Sequence, residues 1–80
     1  MRISINQSPL EDLKRLRGVG PVVAARIIAF RQIRPFTDCE DLQDRVKGIS
    51  ARTVRSWVVI PNEPMVFRVV VESGNNPEAG

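Results

Sequence analysis

The stretch Leu16-Arg17-Gly18-Val19-Gly20-Pro21 decides the reading of this chain. A helical pattern runs into it, with Leu10, Leu13 and Leu16 spaced to share one face. Gly18 and Gly20 then allow a sharp reversal, because glycine tolerates the positive φ that ends a helix. Pro21 opens a second helix at the one position where its missing N–H costs nothing. Val19, apolar between two glycines, is placed to plug into a core and pin the bend. The pattern returns thirty residues later: Leu16 aligns with Val46, Gly18 with Gly48, Val19 with Ile49 and Gly20 with Ser50. Ile27 then aligns with Trp57, Ile28 with Val58 and Phe30 with Ile60. One unit, a helix, a Gly-apolar-small bend and a second helix, thus occurs twice. Two such units can close a four-helix core by packing their apolar faces together.

The flanking segments complete the outline. Ser8-Pro9-Leu10-Glu11 and Thr37-Asp38-Cys39-Glu40 read as capping boxes and predict helices over about 9–16 and 38–45. The partner helices are expected over 21–33, stopped by Pro35, and over 51–59, stopped by Pro61. Inward positions are Val23, Ala24, Ile27, Ile28 and Phe30, then Cys39, Leu42 and Val46, then Val54, Trp57 and Val58. Residues 2–5 alternate polar and apolar and suit a short strand or an extended lead-in. Residues 61–64 read as a turn or linker, and Met65 to Glu72, rich in Val and Phe, as a strand. That strand is apolar in part on both faces and needs a neighbour; within the chain only Ile3-Ser4-Ile5 is available, and its edge is otherwise open to a protein partner. The expected fold is mainly α, a compact four-helix domain over 1–60, a linker and C-terminal strand over 61–72, paired with residues 2–5, and a frayed polar tail over 73–80.

Composition narrows the function. Eighty residues, 42% apolar and 26% charged, make one small globular domain near the size at which a single core stands unaided. With no histidine and one cysteine there is no internal disulfide, no Cys/His zinc site and no usual nucleophile–base pair. The carboxylates lie at caps and on helix faces without forming an acid–base pair. A non-catalytic protein without metal or cofactor is therefore expected. No apolar run approaches the length of a membrane span. Cys39 falls in a first helical turn, where the dipole would lower its thiol pKa, but it reads as a packing residue. Trp57, at the repeat position of Ile27, reads as core and not as a base-stacking platform.

Charge points to a polyanion. Twelve Lys and Arg against nine Asp and Glu give +3, and residues 1–60 hold eleven of the basic groups with only six of the acidic ones. Lys14, Arg15 and Arg17 flank the first bend; Arg45, Lys47, Arg52 and Arg55 flank the second, with Arg52 and Arg55 on one helix face. The bends themselves would leave backbone amides facing out at helix starts, which is an anion site that reads no base. Against this stand the ordinary alternatives: tight helix–helix turns and solvated faces with surface pairs such as Glu11–Lys14 and Asp41–Arg45.

Several segments in register resemble a known family. Ile5-Asn6, Leu13-x-x-Leu16-Arg17-Gly18-Val19-Gly20-Pro21, Ala24-x-x-Ile27-Ile28-x-x-Arg31, Pro35-Phe36, Glu40-Asp41-Leu42 and Val46-Lys47-Gly48-Ile49 look like the tandem helix-hairpin-helix domain (SAM-like fold) of the ComEA competence proteins, over about residues 3–60. That resemblance implies sequence-independent binding of double-stranded DNA in DNA uptake, each hairpin donating amides to phosphates. It implies a first cradle of Gly18, Val19 and Gly20 with Arg17 beside it, and a second of Gly48, Ile49 and Ser50 with Lys47, Arg52 and Arg55. The chain departs from the family pattern at Val22, where a lysine is usual, at Arg17, which replaces a proline, and at Ser50, which replaces a glycine. A second similarity, to the helical domain of the type II secretion minor pseudopilin K, includes a strand like Val66 to Glu72. It implies a protein–protein module without DNA binding. Either family implies an extracytoplasmic or membrane-associated parent chain; a chain complete as it stands would be cytoplasmic.

Overall fold

Each repeat forms two helices joined by its bend. In a computed structural model describing residues 1–69, the elements run β1 (Arg2–Ser4), α1 (Leu10–Leu13), α2 (Pro21–Ile33), α3 (Cys39–Arg45), α4 (Ala51–Arg55), β2 (Val58–Val59) and β3 (Val66–Arg68). The strands form one antiparallel sheet in the order β1-β3-β2. As expected, the N-terminal residues pair with the C-terminal strand, Ile3 opposite Phe67 and Ser4 opposite Val66. Backbone bonds between Met1 and Val69 and from Ile5 N–H to the Met65 carbonyl extend the pairing. The rest of the expected strand, Val70 to Glu72, and the tail after it lie outside the described residues. Among the described residues no helix is long and apolar enough to cross a membrane.

The core joins sheet and helices. Ile3, Ile5, Leu13, Ile27, Leu42 and Val46 are fully enclosed, with Val19, Ile49, Trp57 and Phe67 beside them. Trp57 meets Phe67 edge-to-face at 5.0 Å between centroids, a favoured aromatic geometry. Asn6 closes the opposite end: its side-chain amide donates to the Phe36 carbonyl and accepts from the Phe36 N–H, at 3.0 and 2.8 Å.

Three local expectations are corrected. The fourth helix does not reach Val59. It stops at Arg55, where the Ser56 N–H and hydroxyl both turn back onto the Thr53 carbonyl. The β-branched Val58 and Val59 instead take ladder bonds from β3, which their stiff side chains suit better than helix. Val58 is therefore exposed and not inward. The first helix keeps only one regular turn; Arg15 and Leu16 are held by tighter bonds, to Asp12 O at 2.9 Å and Leu13 O at 3.1 Å. The caps also sit elsewhere. Ser8 Oγ accepts from Ser4 N–H at 2.8 Å and caps no helix, while α3 begins on Asp38, whose carboxylate accepts from Asp41 N–H at 2.8 Å.

Asp41 ties this region together. It accepts from Thr37 N–H at 3.1 Å and from Arg45 at 3.1 Å, and faces Arg34 at 3.4 Å. Desolvation pushes its carboxyl up, but the Thr37 N–H, the Arg45 hydrogen bond and the charges of Arg34 and Arg45 outweigh that and hold its pKa below the ordinary value. A carboxyl lowered on folding adds stability that is complete above its unfolded pKa, about 4, and is lost as pH falls through the folded value. Melting temperature should therefore drop as pH goes from about 5 to about 2, and Asp41→Asn should flatten part of that drop. Parallel curves for the two proteins would remove Asp41 from the account.

Candidate functional site

The two bends have matching backbones. Gly18 and Gly48 carry φ of +82° and +103°, the left-handed region that glycine occupies without strain. Gly20 and Ser50 follow as extended N-cap residues, and their carbonyls accept from Ala24 and Val54 N–H at 2.9 and 3.1 Å. Val19 and Ile49 are buried, so these two positions offer only backbone to a ligand. The four flanking residues, Gly18, Gly20, Gly48 and Ser50, are exposed.

Each bend rests on the other repeat. A Cβ placed on Gly18 would lie 2.7 Å from Thr53 Cγ2 on α4; one on Gly48 would lie 2.9 Å from Val23 Cγ2 on α2. Val23 and Thr53 are repeat equivalents, so the contacts are exchanged by a pseudo-two-fold. The carbonyls ahead of the glycines are pinned in the same crossed way. Trp57 Nε1 donates to the Arg17 carbonyl and Arg26 Nη1 to the Lys47 carbonyl, both at 2.8 Å.

The amides of the two bends are paired differently. Among the described residues, the N–H groups of Gly20, Val22 and Val23 find no acceptor in the chain, since Gly20 has no side chain with which to cap α2. The Val19 N–H is taken by the Leu16 carbonyl at 3.0 Å. In the second bend, Ser50 Oγ accepts from Thr53 N–H at 3.2 Å, leaving Ser50, Ala51 and Arg52 N–H. Each bend thus leaves three amides without an acceptor, and the second is the better capped helix start.

The basic residues divide by role. Arg45 is withdrawn from any interface: only 15% of its side chain is exposed, and it donates to the Phe30 and Arg34 carbonyls at 2.7 and 2.8 Å while lying 4.2 Å over the Phe36 ring. Lys14 and Arg15 face Glu11 and Asp12, each at 3.7 Å. Arg17, Lys47, Arg52 and Arg55 are exposed and form no ion pair among the described residues. Arg17, Gly18 and Arg52 meet in one open notch of about 380 Å³, completed by Thr53 and Ser56. The tertiary structure thus joins a cation from each repeat beside the first bend. Thr53 and Ser56 were not legible as site residues; the one available signal was the equivalence of Thr53 with Val23.

The remaining candidates settle as packing or structure. Trp57 is enclosed, with its N–H committed to Arg17. Cys39 is half-buried, and burial, then the neighbouring Asp38 carboxylate, push its thiol up, so environment overrides the expected dipole effect. Among the described residues no cluster of three or more His, Cys, Asp or Glu is arranged to hold a metal.

A family model described as helix-hairpin-helix motif matches residues 1–57. The chain is 46% identical over 43 residues to Crinkler effector protein 108 of Phytophthora sojae, covering 54% of this chain and 5% of that protein. It is 44% identical over 50 residues to the kinesin-like protein KIN-10C of Arabidopsis thaliana, covering 62% of this chain and 7% of that protein. The chain therefore spans less than a tenth of the length of these relatives. No solved structure matches it significantly.

Proposed function

The chain belongs to the helix-hairpin-helix motif family, which is generally associated with nucleic-acid binding, and we propose that it binds double-stranded DNA without reading its sequence. The observation that carries this is the pair of crossed, matching bends, each with exposed helix-start amides beside unpaired cations. The N–H groups of Gly20, Val22 and Val23 receive one phosphate; those of Ser50, Ala51 and Arg52 receive another. Arg17, Lys47, Arg52 and Arg55 supply the charge that draws the backbone in. Backbone amides at helix starts read phosphates and not base edges, so these contacts position the duplex without specifying it. The resemblance to ComEA-type domains supports DNA uptake as the setting, where incoming duplex has no fixed sequence to be read.

A labelled random duplex titrated at several salt concentrations tests this. Binding should fall with salt on a log–log slope of roughly −4 to −5, from about four to six neutralised phosphates. Gly20 is the informative substitution. Its φ is −95° and a Cβ there would meet nothing within 4 Å, so Gly20→Leu should cost under about 1 kcal/mol of stability. It nevertheless places four carbons over the first cradle and should weaken binding at least about tenfold, the loss of one good phosphate contact. Arg52→Gln should shorten the salt slope by about one. Absence of binding at low salt, or a flat salt dependence, would sink the reading.

A further inference from the structure

We infer that the duplex makes a third phosphate contact outside both bends, in a seat formed by Arg15, Arg17 and Arg68. This rests on the DNA-binding reading above and extends its footprint onto the sheet. A second depression, of about 340 Å³, lies beside the notch and shares Arg17 and Ser56 with it. Arg15 and Arg68 also line it, with Trp57 and Val58 among its other walls. The two hollows form one cationic track that runs from Arg52 through Arg17 to Arg15 and Arg68.

The track is held by the core. Trp57 bonds the Arg17 carbonyl on one side and packs against Phe67 on the other. Phe67 is the neighbour of Arg68 on β3, and Arg68 itself stands opposite Val58 of β2. The same tryptophan therefore sets the distance between the first bend and the end of the strand. Arg68 has like charges beside it. Arg2 lies directly across the ladder from it, with its own charge engaged by Glu63. Asp12 faces Arg15 at 3.7 Å and is the only carboxylate paired with a cation of this depression among the described residues. Among the described residues Arg17 and Arg68 have no such partner. Exposed like charges gathered in a hollow repel one another and favour an anion between them. A phosphodiester fits that demand, and arginine's planar fork suits it. A duplex gripped at the first bend has further phosphates within reach of this hollow, because successive phosphates follow the same strand.

The test compares Arg68→Gln with Arg34→Gln, an exposed arginine at the far end of α2, in the same duplex titration. Arg68→Gln should weaken binding about three- to tenfold at low salt and shorten the log–log slope by about one. Arg68→Lys should restore the slope, and Arg34→Gln should change neither quantity. Melting curves establish that each variant is folded at the assay temperature. If Arg68→Gln matches wild type while Gly20→Leu and Arg52→Gln still weaken binding, the third seat is wrong and the two-bend reading stands. If Arg34→Gln loses as much as Arg68→Gln, only net charge matters and the seat is likewise wrong. If the wild-type protein does not bind duplex, both readings fall together.

Discussion

Gly18→Ala is expected to lower the melting temperature by about 8–40 °C, while Gly20→Ala two residues away leaves it nearly unchanged. Two effects add at Gly18. Alanine held at a φ of +82° costs about 1–2 kcal/mol in the left-handed region. Its Cβ would lie 2.7 Å from Thr53 Cγ2, and overpacking of that kind costs about 1–3 kcal/mol. Thr53 is a poor candidate to yield. It is short and β-branched, and its hydroxyl lies 3.1 Å from Ser50 Oγ, so rotating it breaks that contact. Each 1 kcal/mol shifts the midpoint of a domain this size by about 4–8 °C. The two contributions separate in a double mutant: Thr53→Ser removes Cγ2 and should recover the overpacking part of the loss, leaving the backbone part. Gly48→Ala should behave alike, with Val23→Ala as its partner change, because the pseudo-two-fold puts Val23 Cγ2 2.9 Å from the new Cβ. Equal melting temperatures for Gly18→Ala and Gly20→Ala would refute this account of the bends. The comparison also shows why the large-to-nothing contrast at Gly20 is the cleaner probe of DNA binding.

Arg45→Ala should also be damaging, by about 1–3 kcal/mol, the cost of leaving carbonyls without their donor. The guanidinium replaces water at the end of α2, adding a second donor to the Phe30 carbonyl, which also accepts from Arg34 N–H at 3.2 Å. It donates to Phe30 O and Arg34 O, and on its other side to Asp41 at 3.1 Å, with its plane over Phe36. Truncation leaves two carbonyls and a half-buried carboxylate with fewer donors and opens a gap against an enclosed ring. Arg45→Lys keeps the charge but cannot form the fork, and should recover less than half of the loss in a urea titration. A stability change under about 1 kcal/mol for Arg45→Ala would show that the hub is ornamental. In that case Arg45 would return to the list of groups available to DNA.

Much of the fold was legible because the repeat is written in local terms. Glycine, an apolar plug and a small residue at one spacing, twice, specify two bends. The 3.6-residue periodicity around them specifies which faces meet, and Ala24, Ile27, Leu42 and Val54 are all buried. The pairing of residues 2–5 with the C-terminal strand followed from elimination, but that elimination missed Val58–Val59, which pairs with the other edge of β3. The candidate site was legible only in part. Gly18, Gly20, Gly48 and Ser50 sit at bends as their residue types require, yet which amides remain free depends on what each meets. Val19 N–H turns inward and Thr53 N–H is spent on Ser50.

The sequence by itself determined the two bends, the four helical segments and an excess of positive charge before residue 60. Each of these depends on neighbours a few positions apart, which is the range over which propensity, capping and periodicity act. Only the tertiary structure decided that Val58 and Val59 form a strand, that Arg45 serves the core, and that Arg68 and Arg17 line one hollow. Those outcomes depend on partners tens of residues distant. A β-branched pair takes whichever hydrogen-bonding partner the completed fold brings to it. An arginine has the same long stem and fork whether it ends over a ring, on a carbonyl or in water, so its role is set by the surfaces that close around it.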